Sequence, residues 1–204
     1  MKRVAFFLPL VIVLFPALCS ADIVINEILA SPSVDWDGDG SYYYRDDEWV
    51  EIFNRSDSPV NLDGYRLADD DTTWRYAFSG VLYPHAHLVV YGSQSYEWER
   101  ANGYPAYGLS LSNSGDTVRL WRFQGTDSLE LDACAYGTAA AGTDRSIGRE
   151  PDGTEEWYIF DALNPYSGSD PPVGTDCPPT PGQRNGCATG IDVGTWGSIK
   201  ALFR

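Results

Sequence analysis

Apolar residues recur along the chain in short runs, at 23–29, 49–53, 60–67, 87–91, 118–121 and 129–136, separated by turn chemistry at Asp63-Gly64, Tyr83-Pro84, 113–116 and Gln124-Gly125. Within 116–122, Val118 and Leu120 alternate with Thr117, Arg119 and Trp121, the period of a strand with one buried face. No helical period lies between these runs, which predicts an all-β fold, an immunoglobulin-like antiparallel β-sandwich, and excludes an alternation of strands with crossover helices. One short helix is predicted over 96–102, with Gly103 ending it. Beyond Asp152 the strand patterning fades, and Asp170-Pro171-Pro172 and Pro178-Pro179 mark an extended linker, so the core is expected to be complete near Asn164.

Composition narrows the class. The 204 residues carry 14 basic and 29 acidic side chains, a formal charge of -15, which argues against nucleic acid as a partner because phosphate neutralisation needs clustered Lys and Arg. Met1-Lys2-Arg3, an apolar stretch to Leu18 and then Cys19-Ser20-Ala21 read as a secretory leader cleaved near Ala21. Bulky Leu18 disfavours acylation at Cys19. No later stretch is long and apolar enough to span a membrane, so the mature chain is expected to be extracellular or at the cell surface. Export places Cys134, Cys177 and Cys187 in an oxidising compartment. The turn-rich segment between Cys177 and Cys187 predicts that these two pair, while Cys134, in a strand-like stretch, is expected to be a buried thiol. The chain thus divides into a leader (1–21), a sandwich domain (22–165), a Pro/Gly-rich closing segment with the disulfide (166–187) and a tail (188–204). Trp196, Ile199, Leu202 and Phe203 beside Lys200 and Arg204 leave two readings of that tail, a frayed chain end or a sorting or anchoring tag.

Several ordered motifs carry a resemblance. Ile23-Val24-Ile25-Asn26-Glu27-Ile28-Leu29-Ala30, Asp47-Glu48-Trp49-Val50-Glu51-Ile52-Phe53-Asn54 and Val60-Asn61-Leu62-Asp63-Gly64-Tyr65-Arg66-Leu67 come first. Leu88-Val89-Val90-Tyr91-Gly92, 111–120, Ser146-Ile147-Gly148-Arg149-Glu150-Pro151-Asp152-Gly153 and Thr180-Pro181-Gly182-Gln183-Arg184-Asn185-Gly186 follow in order. Together, over roughly 23–186, they resemble the bacterial lamin tail domain. The resemblance implies an immunoglobulin-like sandwich with a binding or anchoring role, found on secreted and surface-attached proteins, often beside hydrolase or nuclease domains. This sequence contains no such companion domain.

The strongest local chemistry is Asp35-Trp36-Asp37-Gly38-Asp39-Gly40 followed by Ser41 and, five residues on, Asp46. Carboxylates at loop positions 1, 3, 5 and 12 with Gly at 6 match a calcium loop, except that Asp replaces the usual Glu at the last position. Asp35, Asp37, Asp39, Ser41 and Asp46 are therefore the expected Ca²⁺ ligands, against the plainer reading of a solvated acidic turn. The shorter Asp predicts weak affinity, on the order of 10⁻⁴ to 10⁻³ M. Asp69-Asp70-Asp71 reads as a solvated turn, and Glu27, Glu48 and Glu51 read as exposed strand-face acids. His85 and His87 lack a third metal ligand nearby in sequence, and no nucleophile motif is present. Trp36, Tyr42, Tyr43, Tyr44, Trp74, Tyr76, Trp98, Tyr104 and Tyr107 lie in turn-rich stretches, as plugs under loops or as an exposed recognition patch. The expected function is a calcium-stabilised binding module for an extracellular protein or glycan. A metal-dependent hydrolase using Glu27, Glu51 and loop carboxylates is the alternative, and a carbohydrate-binding module a third.

Overall fold

The computed structural model describes residues 21–70 and 73–187. The leader and the tail, with the export and sorting readings attached to them, lie outside the described residues apart from Ala21. In chain order the elements are β1 (Ile23–Leu29), β2 (Trp49–Asn54), β3 (Val60–Asn61), β4 (Tyr65–Ala68), β5 (Trp74–Ala77), β6 (Val81–Leu82) and β7 (His87–Tyr91). Helix α1 (Gly92–Asn102), β8 (Gly115–Gln124), β9 (Asp127–Gly137), β10 (Ser146–Arg149) and β11 (Trp157–Phe160) complete the set. A five-stranded sheet runs β11-β10-β1-β2-β7, a four-stranded sheet runs β5-β4-β8-β9, and β3 pairs with β6 apart from both. All these strand pairs are antiparallel. The fold is an immunoglobulin-like β-sandwich.

Two of the expected runs coincide with strands, and the run at 60–67 divides at Asp63-Gly64 into β3 and β4. Strands β5, β6, β10 and β11 fall outside the six runs. They are short, and β10 interrupts its apolar pattern with Gly148 and Arg149, so periodicity alone does not mark them. The helix begins at Gly92 rather than near Tyr96. Gly and Ser are poor helix formers that hide its first turn in the sequence, and the Gln94 side chain accepts a hydrogen bond from the Tyr91 N–H at 3.1 Å. Gly103 ends the helix in the left-handed region at φ 75°.

The core is one cluster. Ile23, Ile25, Ile28, Val50, Ile52, Val90 and Ile147 from the five-stranded sheet join Tyr65, Leu67, Val118, Leu120, Cys134 and Tyr136 from the four-stranded sheet. The core side chains of β1 are odd-numbered up to Ile25 and even-numbered from Ile28, because the pairing with β2 shifts register between Ile25 and Glu27. A bulge of this kind reverses the faces of every later residue in the strand. The Ile25 N–H at the shift donates to Asp132 Oδ2 on β9 at 2.8 Å, a contact between the sheets. Arg149 reinforces it: its Nη2 donates to both Asp132 oxygens at 2.9 Å and its Nε to the Ile25 carbonyl at 2.7 Å.

Every residue of β1 and β2 is buried, so the central strands are covered on both faces rather than one. The outer face lies under the chain beyond Asp152, which departs from the expected extended linker. Ile159 donates to the Val173 carbonyl at 2.9 Å, Thr175 donates to the Ile159 carbonyl at 2.9 Å, and Ala162 donates to the Cys177 carbonyl at 3.0 Å. Cys177 and Cys187 are joined by a disulfide, and Cys134 is a free buried thiol.

Gly92 marks the tightest join. A Cβ there lies 1.7 Å from the Arg45 carbonyl oxygen, a backbone atom with no rotamer to relax. Gly92→Ala is expected to destabilise the fold by at least about 1–3 kcal/mol, the cost of overpacking. Chemical denaturation measures it, and an unchanged midpoint would contradict this packing.

Candidate functional site

The loop between β1 and β2 carries the expected metal ligands. Carboxylate oxygens of Asp35, Asp37 and Asp39 all lie within 4.8 Å of one another. The loop builds this convergence from short hydrogen bonds. Gly38 and Gly40 N–H groups donate to Asp35 at 2.7 and 2.9 Å, Asp39 N–H donates to Asp37 at 3.0 Å, and Ser41 N–H donates to Asp39 at 2.7 Å. Gly38 and Gly40 adopt φ +75° and +92°, and a Cβ at either meets nothing, so their requirement is conformational. Asp46 stands outside the three-carboxylate cluster. Its carboxyl is raised above the ordinary value by partial burial and then by the negative charges of Asp37, Asp47 and Asp39. Ser41 is exposed, and its backbone is what engages the loop.

Asp47 organises this loop and escaped the sequence reading. It is fully buried and accepts from the N–H groups of Trp36 (2.6 Å), Asp37 (3.1 Å) and Tyr43 (2.8 Å). A carboxylate capturing three backbone donors pins both ends of a loop at once. Its sequence signal is only its place before β2.

A second constellation forms on the outer face of the five-stranded sheet. Glu27 and Glu51 sit opposite each other on β1 and β2, both fully buried, which corrects the reading of exposed strand-face acids. Glu48 is buried as well. Donors from the closing segment cover the pair. Thr180 N–H lies 3.2 Å from Glu27, Thr180 Oγ1 donates to Glu27 at 3.0 Å, and Gly182 N–H donates to Glu51 at 2.7 Å. Ser146 Oγ also donates to Glu27, and Asn26 Nδ2 donates to Glu51 at 2.9 Å and to Asp152 at 3.0 Å. Asn185 completes the ring, donating from its N–H to Asp152 at 3.0 Å and from Nδ2 to the Arg149 carbonyl at 2.9 Å. Burial, opposed by hydrogen bonds from Ser146 and Thr180, pushes Glu27 up to about 7. Burial and then the charge of Glu27 push Glu51 up to about 8, and burial raises Glu48 to about 8. The pair is enclosed by backbone and hydroxyl donors, so a substrate has no approach to it in this arrangement.

The remaining expected residues divide sharply. Asp69, read as part of a solvated turn, is buried and receives Arg75 Nε at 2.8 Å, while Arg75 Nη1 donates to Glu99 of α1 at 3.0 Å. This joins the helix to β5. His87 lies 3.2 Å from Asp152 and His85 3.0 Å from Asp57, so the two rings address different carboxylates. Trp36 packs against Trp49 with centroids 6.2 Å apart, and Trp98 stacks on Tyr104 at 5.2 Å. Tyr42, Tyr43, Tyr44 and Tyr107 are half exposed.

The fold is a single-core β-sandwich whose connections carry the acidic loop and exposed tyrosines. The family model described as Lamin Tail Domain matches residues 18–138, more than half of the chain, and the chain belongs to that family. No curated protein matches the chain significantly, and no solved structure does. The matched region ends just after β9, yet β10 pairs with β1 in the same sheet as β11, and the closing segment seals Glu27 and Glu51.

The buried pair, with Glu48, makes stability depend on pH. Unfolded, the two carboxyls titrate near their ordinary value of 4.5; folded, they hold protons up to about 7 and 8. The folded state therefore binds more protons between these limits, so their stabilisation is complete below about pH 4.5 and is lost as pH rises through 7 to 8. Urea midpoints are expected to fall from pH 5 to pH 8. Glu27→Gln, whose amide is neutral throughout and whose neighbours Ser146 and Thr180 have hydroxyls able to reverse roles, should flatten that slope. A midpoint rising toward pH 8 would contradict this assignment.

Proposed function

We propose that the protein is an exported, surface-associated binding module, non-catalytic, whose loop at 35–46 holds a calcium ion. The observation that carries the reading is the convergence of Asp35, Asp37 and Asp39 on one point. Three hard oxygen donors so close repel one another unless a cation neutralises them, and oxygen-only ligands suit Ca²⁺. Asp35, Asp37 and Asp39 would hold the ion, with Asp46 and Ser41 supplying further oxygens. Bound calcium supplies charge neutralisation. The chain's own contribution is to brace the loop from below through Asp47, so that the segment between β1 and β2 keeps one shape on the surface.

Three features support the rest of the reading. The leader composition and the Cys177–Cys187 bond suit an oxidising compartment. No helix among the described residues is long and apolar enough to cross a membrane. The acidic balance directs binding away from nucleic acid, toward a protein or glycan. The hydrolase alternative needs Glu27 and Glu51 to meet substrate, and the closing segment covers both.

A site that binds only the folded state stabilises by mass action. With a dissociation constant of 10⁻⁴ to 10⁻³ M, 10 mM calcium contributes roughly 1.4–2.7 kcal/mol, which is several degrees of melting temperature for a chain of this size. Calcium is expected to raise the melting temperature by that amount, and Asp37→Ala or Asp39→Ala to remove the rise. Equal behaviour of wild type and variants across a calcium titration would make the loop a plain acidic turn.

A further inference from the structure

Next to the acidic loop, the segment before β2 and the segment before β8 enclose a cleft of about 320 Å³, bordered by Tyr44, Arg45, Glu48, Ser110, Leu111, Ser112 and Asn113. That volume lies at the lower end of small-ligand pockets, about 300–1,000 Å³. Its walls are fixed. The Arg45 carbonyl is held against Gly92 at the start of α1, and Ser93 N–H donates to the Asp46 carbonyl at 3.1 Å. On the other side, Tyr107 and Gly108 N–H groups donate to buried Glu99 at 2.6 and 2.8 Å, and Leu111 N–H donates to buried Glu48 at 3.0 Å. Ser110 adopts φ 56°, the left-handed region that a residue with a side chain enters only when its surroundings hold it there.

The groups facing outward are amphipathic. The Arg45 guanidinium lies 5.6 Å from the Tyr44 ring centre and 5.7 Å from that of Tyr107, and its Nε donates to the Tyr44 hydroxyl at 3.1 Å. Tyr43 flanks Tyr44 with centroids 4.9 Å apart. Half-exposed rings beside a polar hollow offer flat apolar faces, while Arg45, the seryl hydroxyls and the Asn113 amide offer hydrogen bonds. Charge then selects among ligands. The acidic balance of the chain opposes an anionic ligand, and Arg45 at the cleft wall opposes a cationic one.

We propose that this cleft is a subsite for a neutral glycan, with a sugar ring stacked on Tyr44 and its hydroxyls hydrogen-bonded by Arg45, Asn113 and the serines. This rests on the binding-module reading above and names the ligand class of that module. A neutral sugar matches both halves of the surface, since its C–H face packs on an aromatic ring and its hydroxyls both donate and accept.

Affinity electrophoresis of the full chain through gels containing neutral soluble polysaccharides (β-glucan, mannan, xyloglucan) tests it, with polyuronates as the acidic comparison. Wild type should be retarded by at least one neutral polymer and not by polyuronate. Tyr44→Ala should weaken retardation about tenfold, since a lost ring contact reaches that size. Asn113→Ala should weaken it less, and both variants should keep the wild-type melting temperature. Absence of retardation by every neutral polymer, preference for polyuronate, or full retardation of Tyr44→Ala would each overturn the glycan assignment. Capture of a purified surface protein that Tyr44→Ala abolishes would overturn it too, in favour of a peptide ligand. The calcium-dependent rise in melting temperature is read separately, so failure of the glycan assignment is distinguishable from failure of the calcium-loop reading.

Discussion

Two carboxylates placed face to face inside the protein constrain much of its architecture. The β1–β2 register puts Glu27 opposite Glu51 with neither exposed. Such a pair survives burial only where the surroundings supply donors or favour the protonated form; here the donors are in place, and burial pushes both carboxyls upward. The donors come from far along the chain, from Ser146 on β10 and from Thr180 and Gly182 in the closing segment. A stretch rich in proline and glycine, poor material for a core, thereby becomes the lid of the most polar part of the interior. The Cys177–Cys187 bond spans that lid and limits how far it can open in the unfolded chain as well.

Other buried charges tie one layer to the next. Arg149, almost wholly buried, reaches across from β10 to Asp132 on β9 and lies 4.4 Å from the Trp157 ring centre on β11, linking the two large sheets. Arg75 plays the same part between β5 and α1 through Glu99, with Asp69 as its second partner. Each cation has at least one carboxylate partner, which offsets much of the cost of taking it out of water. Removing a single member strands a buried charge, so these ties specify which surfaces meet rather than add much net stability. Glu99 extends the effect, since its second oxygen holds Tyr107 and Gly108 and so shapes one wall of the surface cleft.

The connections outside this frame carry the surface chemistry. The β1–β2 connection contributes the acidic loop and the exposed Tyr42, Tyr43 and Tyr44, and the connection before β8 contributes the facing wall. Both are braced by buried carboxylates, Asp47 on one and Glu99 and Glu48 on the other. The loops therefore reach solvent from a rigid base, the arrangement in which loop residues serve recognition best.

Local pattern was enough for some of this. The runs at 23–29 and 87–91 are strands in full because dense β-branched and apolar residues leave few other conformations, and Gly103 and Gln124-Gly125 stop their elements where turn chemistry says they should. The Asp35, Asp37 and Asp39 spacing was legible because a tight loop decides by itself where alternate side chains point. The reach of Asp47 back across the loop was not. Nor was the fate of Glu27, Glu48, Glu51 and Asp69, which as single letters read as solvent-facing acids. Their burial depends on partners as distant as Thr180, and a carboxylate's preference for water reverses only when such donors are assembled around it. The strands β10 and β11 share this dependence: four residues each, they are held by the neighbours they pair with. The sequence by itself determined the β class, the turns and the acidic loop, because those follow from interactions between near neighbours. Which polar groups are enclosed, and which segment encloses them, only the tertiary structure decided, because a charge is buried or exposed according to what the rest of the chain brings to it.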